Sequence, residues 1–170
     1  MSGLQEFRKE KDRFFQQDHN SPIAHEERDD FQGLNYYDED PDLRFVVEVK
    51  PFPEQEEVQL QTSTGEFDRY FRYGRFQFEI EGEKAELTLY TSEDSHPFLP
   101  FVDSTSPKET YGAGRYLELE ALGEDRYLVD FNLAYNPWCA YSPFYSCPLP
   151  PDENRLTVPI RAGEKNYSCI

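Results

Sequence analysis

The chain has 170 residues, of which 16% are aromatic, and its 34 Asp and Glu against 17 Lys and Arg give a net charge of −17. This charge excludes the basic footprint that nucleic acid and anionic membranes require, so neither is an expected partner. No apolar run approaches the roughly 18 residues of a membrane span. The first residues also lack the apolar stretch of a secretory signal, which predicts a cytoplasmic location.

Two helices are predicted at the start of the chain. The apolar residues of segment 4–16 recur at the spacing of one helix face, with charged residues on the remainder. Ser21 followed by a proline is a strong helix start, which predicts a short second helix through Phe31. Gly33 suits the C-cap of that helix.

From residue 43 the hydrophobic period changes to two, which is typical of strands. A glycine turn at Glu81-Gly82-Glu83 predicts the clearest hairpin, and Pro159 assigns the last strand to a sheet edge. The alternating segments are 43–49, 58–61, 76–81, 85–90, 117–121, 127–131 and 156–160. Strands at this spacing predict a mainly β fold, an antiparallel β-sandwich or barrel with a short N-terminal helical segment.

The chain is interpreted as a single domain, with N-terminal helices in residues 1–33 and a β body in residues 43–170. Residues 137–159 contain 6 of the 13 prolines, two of the three cysteines and the only Trp. Proline stiffens a chain by fixing φ. A stiffened loop at 136–155 can form the wall of a pocket, or it can cap the open end of the sandwich or barrel.

Cys139 is the candidate nucleophile, with His96 as a base and Asp103 or Asp130 as the orienting acid. An Asp103/Asp130 pair is a second arrangement for a small enzyme. A free cysteine is more often a buried small hydrophobic residue, so the catalytic residues stay unknown at this stage.

Cys139 and Cys147 are close enough in sequence to form a disulfide across a short loop, and Cys169 makes the set odd. Their spacing does not match the closely spaced pairs of zinc sites, so no metal is predicted. Tyr111-Gly112-Ala113-Gly114-Arg115 contains G-x-G but leads into a strand. A dinucleotide fingerprint needs a helix there, so no cofactor is predicted.

Long segments of the chain resemble a known family. PFVDSTSPKETYGAGRYLEL and VDFNLAYNPWCAYSPFYSCPLPPDENRLTVPIRAGEK are similar to domain-of-unknown-function family 1684, and SPI…R…F.GL.YY matches its opening. The matching positions are Asp103, Tyr111, Gly112, Gly114, Arg115, Asp130, Asn132, Tyr135, Asn136, Pro137, Cys139, Tyr141, Cys147, Pro148, Asn154 and Arg155. The family groups uncharacterised bacterial and archaeal proteins, so the resemblance implies no catalytic roles.

Polar and aromatic residues gather beside the proline-rich loop, as they do in small-molecule pockets. Arg115 suits an anionic ligand group, although a structural ion pair with an acid is the more common use of such a residue. The predicted ligand-binding residues are Tyr111, Arg115, Asp130, Asn132, Tyr135, Asn136, Trp138, Tyr141 and Asn154. A small-molecule-binding domain is the favoured interpretation; a small hydrolase or transferase and a structural or assembly domain are the alternatives.

The excess of acidic residues says more about the solvent in which the protein works than about its function. Lys is scarcer than Arg, and an acidic surface poor in Lys suits a salt-rich cytoplasm. Evenly spread, the net charges would lie about 23 Å apart, beyond the Debye length of about 8 Å at physiological salt. A halophilic or salt-tolerant source and an ordinary acidic protein are therefore both consistent with the sequence.

Overall fold

A computed structural model describes residues 3–142 and 144–167, so Cys169 lies outside the described residues. Within these ranges one α-helix, α1 (Gly3–Gln17), precedes nine strands. The strands are β1 (Arg44–Glu48), β2 (Lys50–Pro51), β3 (Glu57–Gln61), β4 (Phe67–Ile80), β5 (Glu83–Thr91), β6 (Pro97–Phe101), β7 (Arg115–Leu117), β8 (Glu120–Gly123) and β9 (Arg126–Asp130). Short 3₁₀ helices span His25–Asp30, Pro41–Leu43, Phe131–Leu133, Trp138–Ala140 and Asp152–Asn154.

The strands form two antiparallel sheets. One has the order β1-β9-β8, and the other has the order β2-β4-β5-β6-β7 with β3 also paired to β4. The predicted hairpin is β4–β5, with Phe76 opposite Leu87. The mainly β prediction is confirmed. Neither sheet closes on itself, so the fold is sandwich-like rather than a barrel.

Phe131 lies at the centre of the main core and is fully buried. Its ring contacts Phe45 of β1, Phe78 of β4 and Phe101 of β6, with centroids 5.5–6.1 Å apart. These contacts join residues of both sheets. Burying a ring of this size contributes a few kcal/mol, so Phe131 is a principal link between the layers.

The first predicted helix is confirmed as α1, but the second is only partly present. Ser21 is not a helix N-cap: its hydroxyl donates to the Phe15 carbonyl at 2.6 Å and accepts from the Ile23 amide at 3.2 Å. These bonds form a turn that pins the end of α1, because a Ser side chain competes well for nearby backbone groups. A single 3₁₀ helix, His25–Asp30, follows. No described helix has the length and apolar character needed to cross a membrane.

Two strand predictions need correction in their extent. β4 begins at Phe67, nine residues before the alternating segment, and bends at a bulge between Arg72 and Gly74. A Cβ at Gly74 would lie 2.5 Å from the Lys50 carbonyl oxygen, so β2 can approach there only because the residue is glycine. The predicted strand 117–121 is divided between β7 and β8, which belong to different sheets.

Segment 156–160 is not a strand, contrary to its alternating pattern. Only a parallel bridge between Arg155 and Val102 precedes it. The Ile160 amide donates to Asp103 Oδ2 at 2.6 Å, and the Ile160 carbonyl accepts from Arg115 at 2.8 Å. Buried side chains therefore satisfy backbone groups that a neighbouring strand would otherwise satisfy.

Candidate functional site

A shallow, open groove of about 470 Å³ runs along α1 beside Glu118, Tyr135 and Trp138, and we call it the α1 groove. Its lining residues are Phe7, Glu10, Lys11, Phe14, Phe15, Glu118, Tyr135 and Trp138. Phe7 is 47% exposed, which leaves an apolar ring open to solvent. The groove thus contains two of the predicted ligand-binding residues, Tyr135 and Trp138.

The floor of the α1 groove is an aromatic cluster separate from the main core. Phe15 of α1 meets Tyr141 edge to face at 4.9 Å, and Phe14 lies 6.4 Å from Trp138 between centroids. Aromatic pairs in these arrangements stabilise beyond the area that they bury. Part of the proline-rich loop therefore closes a second core over α1, and part of it faces the groove.

Glu164 lies beneath the groove, only 2% exposed. It forms an ion pair with Lys11, and accepts from the Tyr141 hydroxyl at 2.7 Å and the Asn136 amide at 3.1 Å. Burial and the Glu164 carboxylate raise the pKa of Tyr141, so its phenol stays a donor. The Lys11 ammonium also lies 5.0 Å from the centre of the Tyr135 ring. Lys11 thus forms part of the groove wall, and its positive charge is already paired with Glu164.

Arg115 and Asp103 form a buried ion pair at 3.4 Å. The Arg115 guanidinium also donates to the carbonyls of Ile160, Ala162 and Glu164, while its Nε has no hydrogen-bond partner among the described residues. Burial lowers the pKa of Arg115 and Asp103 opposes that shift. These contacts fasten the C-terminal segment to β7, and they leave the guanidinium 1% exposed.

Two asparagines form similar buried bridges. The Asn132 side chain donates to the Asp40 carbonyl and to Asp130 Oδ1, each at 2.9 Å, and accepts from the Asp40 amide. The Asn154 amide bridges Thr88 and the Pro100 carbonyl with three bonds of 2.8–2.9 Å. Both side chains have their polar atoms bonded to the chain itself.

Cys139 and Cys147 are free thiols placed side by side. The Cys139 amide donates to Cys147 Sγ at 3.3 Å, and the Tyr111 hydroxyl lies 3.6 Å from Cys139 Sγ. Hydrogen bonds from Cys147 and Tyr111 lower the pKa of Cys139 to about 6, against the effect of burial. The shared hydrogen bond and burial raise the pKa of Cys147. Such a thiolate is both a nucleophile and a metal ligand in principle.

The chain is similar to other proteins over most of its length. A family model for proteins of unknown function (DUF1684) matches residues 29–165. The chain belongs to this family. The solution NMR structure of an uncharacterised protein from Haloarcula marismortui is similar, with 44% identity and a TM-score of 0.73, covering 95% of this chain and 91% of the other. No curated protein matches.

In this DUF1684 chain the catalytic candidates lie apart. His96 lies on the exposed turn between β5 and β6, where its amide bonds to the Ser92 hydroxyl. Asp103 faces Arg115, and Asp130 accepts from the Asn132 amide at 3.1 Å. Within the described ranges, no hydrogen bond or ion pair joins any of the three to Cys139. A Cys-His-Asp arrangement is therefore not assembled among these residues.

Three important residues of the site escape the sequence patterns. Lys11 belongs to the charged side of α1 in the pattern, and Glu164 is one of 34 acids with nothing local to distinguish it. Glu118 falls on the polar side of the predicted strand 117–121, like many other acids. The sequence signal that pointed to this site was the apolar face of α1, because an apolar helix face requires a partner surface. The strand patterns did not identify that surface.

Proposed function

We propose that the protein binds a small organic cation with an aromatic or apolar body in the α1 groove. The observation that carries this proposal is the combination of Phe7, Phe14, Tyr135 and Trp138 with the carboxylates of Glu10 and Glu118 in one groove. Aromatic faces attract cations through the ring quadrupole, and Trp does so most strongly. Acids at the edge of such a groove add attraction for the same charge.

The electrostatics favour a cation over an anion. The Lys11 ammonium is already paired with Glu164, so it offers little to an incoming carboxylate or phosphate. At low ionic strength the net charge of −17 also raises the local concentration of cations and accelerates their encounter. The same charge disfavours phosphate-rich partners, including nucleic acids and anionic membranes.

Calorimetric titration with three aromatic probes tests the proposal. Benzyltrimethylammonium should bind, while benzyl alcohol and benzoate should bind at least about tenfold more weakly, since cation–π attraction contributes about 1–2 kcal/mol in a partly desolvated site. Trp138→Leu should weaken binding of the cation about tenfold for the same reason. Glu118→Gln should weaken it less and make it less sensitive to salt.

Phe144→Leu is the matched control, because Phe144 belongs to the same loop and is 93% exposed outside the groove. It should bind the cation as the wild type does. Equal affinity for all three probes, or equal losses in the Trp138 and Phe144 variants, would contradict a cation site in the groove.

We also propose that the protein works in a salt-rich cytoplasm. Support comes from the excess of acids over Lys and Arg and from the 44% identity to a protein of a halophile. Free thiols at Cys139 and Cys147 agree with a reducing compartment.

Salt should therefore raise the thermal stability. Moving from about 0.1 M to about 1 M KCl shortens the Debye length from about 10 Å to about 3 Å. It therefore weakens repulsion among exposed carboxylates that are close neighbours, such as those of Asp38, Glu39 and Asp42. We expect Tm to rise by at least about 4 °C, which corresponds to about 1–2 kcal/mol in a chain of this size. Sucrose at matched osmolarity controls for solute exclusion; an equal rise in sucrose would remove the electrostatic explanation.

A further inference from the structure

The two thiols are held together from both sides of the proline-rich loop. Cys139 lies in the 3₁₀ helix Trp138–Ala140, and its amide points at Cys147 Sγ. Cys147 is fixed by Ser63, whose hydroxyl accepts from the Cys147 amide at 3.2 Å and whose amide donates to the Cys147 carbonyl at 2.9 Å. The contact between the thiols therefore depends on anchored backbone and not on chance approach of two mobile side chains.

Access to the pair is unequal. Cys147 is only 8% exposed, whereas Cys139 is half-buried and lies beside Tyr111, which is also half-buried. A small reagent can therefore reach Cys139 first. The Tyr111 hydroxyl, 3.6 Å from Cys139 Sγ, can donate to a thiolate there, as can the Cys147 thiol.

The surroundings do not suit a metal. Within the described parts of the chain, no group of three or more His, Cys, Asp and Glu side chains is placed to hold a metal ion. Two thiols alone fall short of the three or four ligands of zinc sites. The pair thus has the composition of a dithiol redox site, with a more accessible attacking sulfur and a shielded second sulfur.

We propose that Cys139 and Cys147 form a peroxide-reactive dithiol, in which Cys139 attacks a hydroperoxide and Cys147 resolves the product as a disulfide. This activity is separate from cation binding in the α1 groove. The pair is formed by two cysteines in contact, with Tyr111 as a third polar group on the attacking sulfur.

The chemistry balances without a further reactant. The Cys139 thiolate attacks the terminal oxygen of the hydroperoxide; an S–O bond forms, the O–O bond breaks, and the leaving alkoxide takes the proton of the Cys147 thiol. The Cys147 thiolate then attacks the sulfur of the Cys139 sulfenic acid; the S–S bond forms and hydroxide leaves. The hydroxide combines with the proton that Cys139 released on ionisation, so two thiols and a hydroperoxide give a disulfide, an alcohol and water.

The test uses the full chain with Cys169→Ser, which removes the third thiol. Treatment with equimolar hydrogen peroxide should abolish both free thiols, lower the mass by two hydrogens and restore the original mass after dithiothreitol. Adding Cys147→Ser should trap a sulfenic acid at Cys139 that dimedone captures. With Cys139→Ser instead, Cys147 should react at least about tenfold more slowly, because it is buried away from the reagent.

Two further measurements separate a built site from ordinary cysteine oxidation. The alkylation rate of Cys139 should rise with a midpoint near pH 6, matching its lowered pKa. Tyr111→Phe should move this midpoint upward and slow the reaction at pH 6 about threefold, since it removes a hydrogen bond of about 1 kcal/mol to the thiolate. Unchanged circular dichroism in each variant excludes misfolding as the cause.

Several outcomes would overturn the proposal. One is consumption of Cys139 by peroxide no faster than that of free cysteine, and another is conversion of Cys139 to sulfinic acid without any disulfide to Cys147. The proposal would also fail if the pH midpoint of Cys139 alkylation were that of an ordinary thiol and did not change in Tyr111→Phe. Both cysteines would then have a structural role only. Cation binding in the α1 groove is measured separately, so either activity can fail alone.

Discussion

Replacing Arg115 by Met is expected to lower the free energy of unfolding by about 4 kcal/mol, the usual cost of breaking a buried ion pair by removing one partner. The substitution leaves the Asp103 carboxylate buried without its cation and removes the donor to three carbonyls, those of Ile160, Ala162 and Glu164. Chemical denaturation followed by circular dichroism measures the loss.

Arg155→Met is the matched control, because Arg155 pairs with Asp152 on an exposed surface. It should leave stability unchanged within error, as exposed pairs usually do. The free energy of unfolding of Arg115→Lys should lie between those of Arg115→Met and Arg155→Met. Lys keeps the positive charge but lacks the planar guanidinium that reaches several carbonyls. If Arg115→Met were as stable as the control, the guanidinium would not be fastening the C-terminal segment.

Sequence reasoning could predict the elements that carry their own periodicity. The β4–β5 hairpin and the helix α1 follow from alternation, a glycine turn and one apolar helix face, all of which are local signals. The division of segment 117–121 between two sheets was not predictable in this way. Its alternation is the same whichever sheet each half joins, so only the packing around Leu117 and Leu119 decides it.

The site was harder to predict because its polar groups find partners far along the chain. Arg115 and Asn154 look like pocket residues in the sequence, since they are polar and lie near an aromatic loop. Apart from Asp103, which pairs with Arg115, their described partners are backbone groups 45 or more residues away. The contact of Cys139 with Cys147 was within reach of sequence reasoning because the two are close along the chain. The contact with Tyr111 was not.

Asn154 occupies an unusual position between β5 and β6. These strands pair only at Tyr90 opposite Phe98 and at Thr91 opposite Pro97. In the same register Thr88 would face Pro100, but a proline has no amide hydrogen to donate. The Asn154 side chain fills this break in the ladder: it accepts from the Thr88 amide at 2.8 Å and donates to the carbonyls of Thr88 and Pro100.

Asn154→Ala should therefore lower the free energy of unfolding by about 3 kcal/mol, because each of three buried backbone groups loses its partner. The Thr88 amide should also lose protection in hydrogen exchange, while amides of the β4–β5 pairing keep theirs at matched global stability. Asn166→Ala is the control: Asn166 also donates to two carbonyls, those of Pro107 and Lys108, but on an exposed surface. Asn166→Ala should therefore lower the free energy of unfolding only slightly.

The same variant distinguishes a structural Asn154 from a ligand-binding one. Asn154 is fully buried and does not line the α1 groove, so folded Asn154→Ala should bind benzyltrimethylammonium as the wild type does. If the folded variant bound the cation more weakly while hydrogen exchange at Thr88 stayed unchanged, Asn154 would be a ligand-binding residue and not a structural one. Loss of Thr88 protection with intact binding would instead make Asn154 a side-chain substitute for the strand pairing that Pro100 cannot complete.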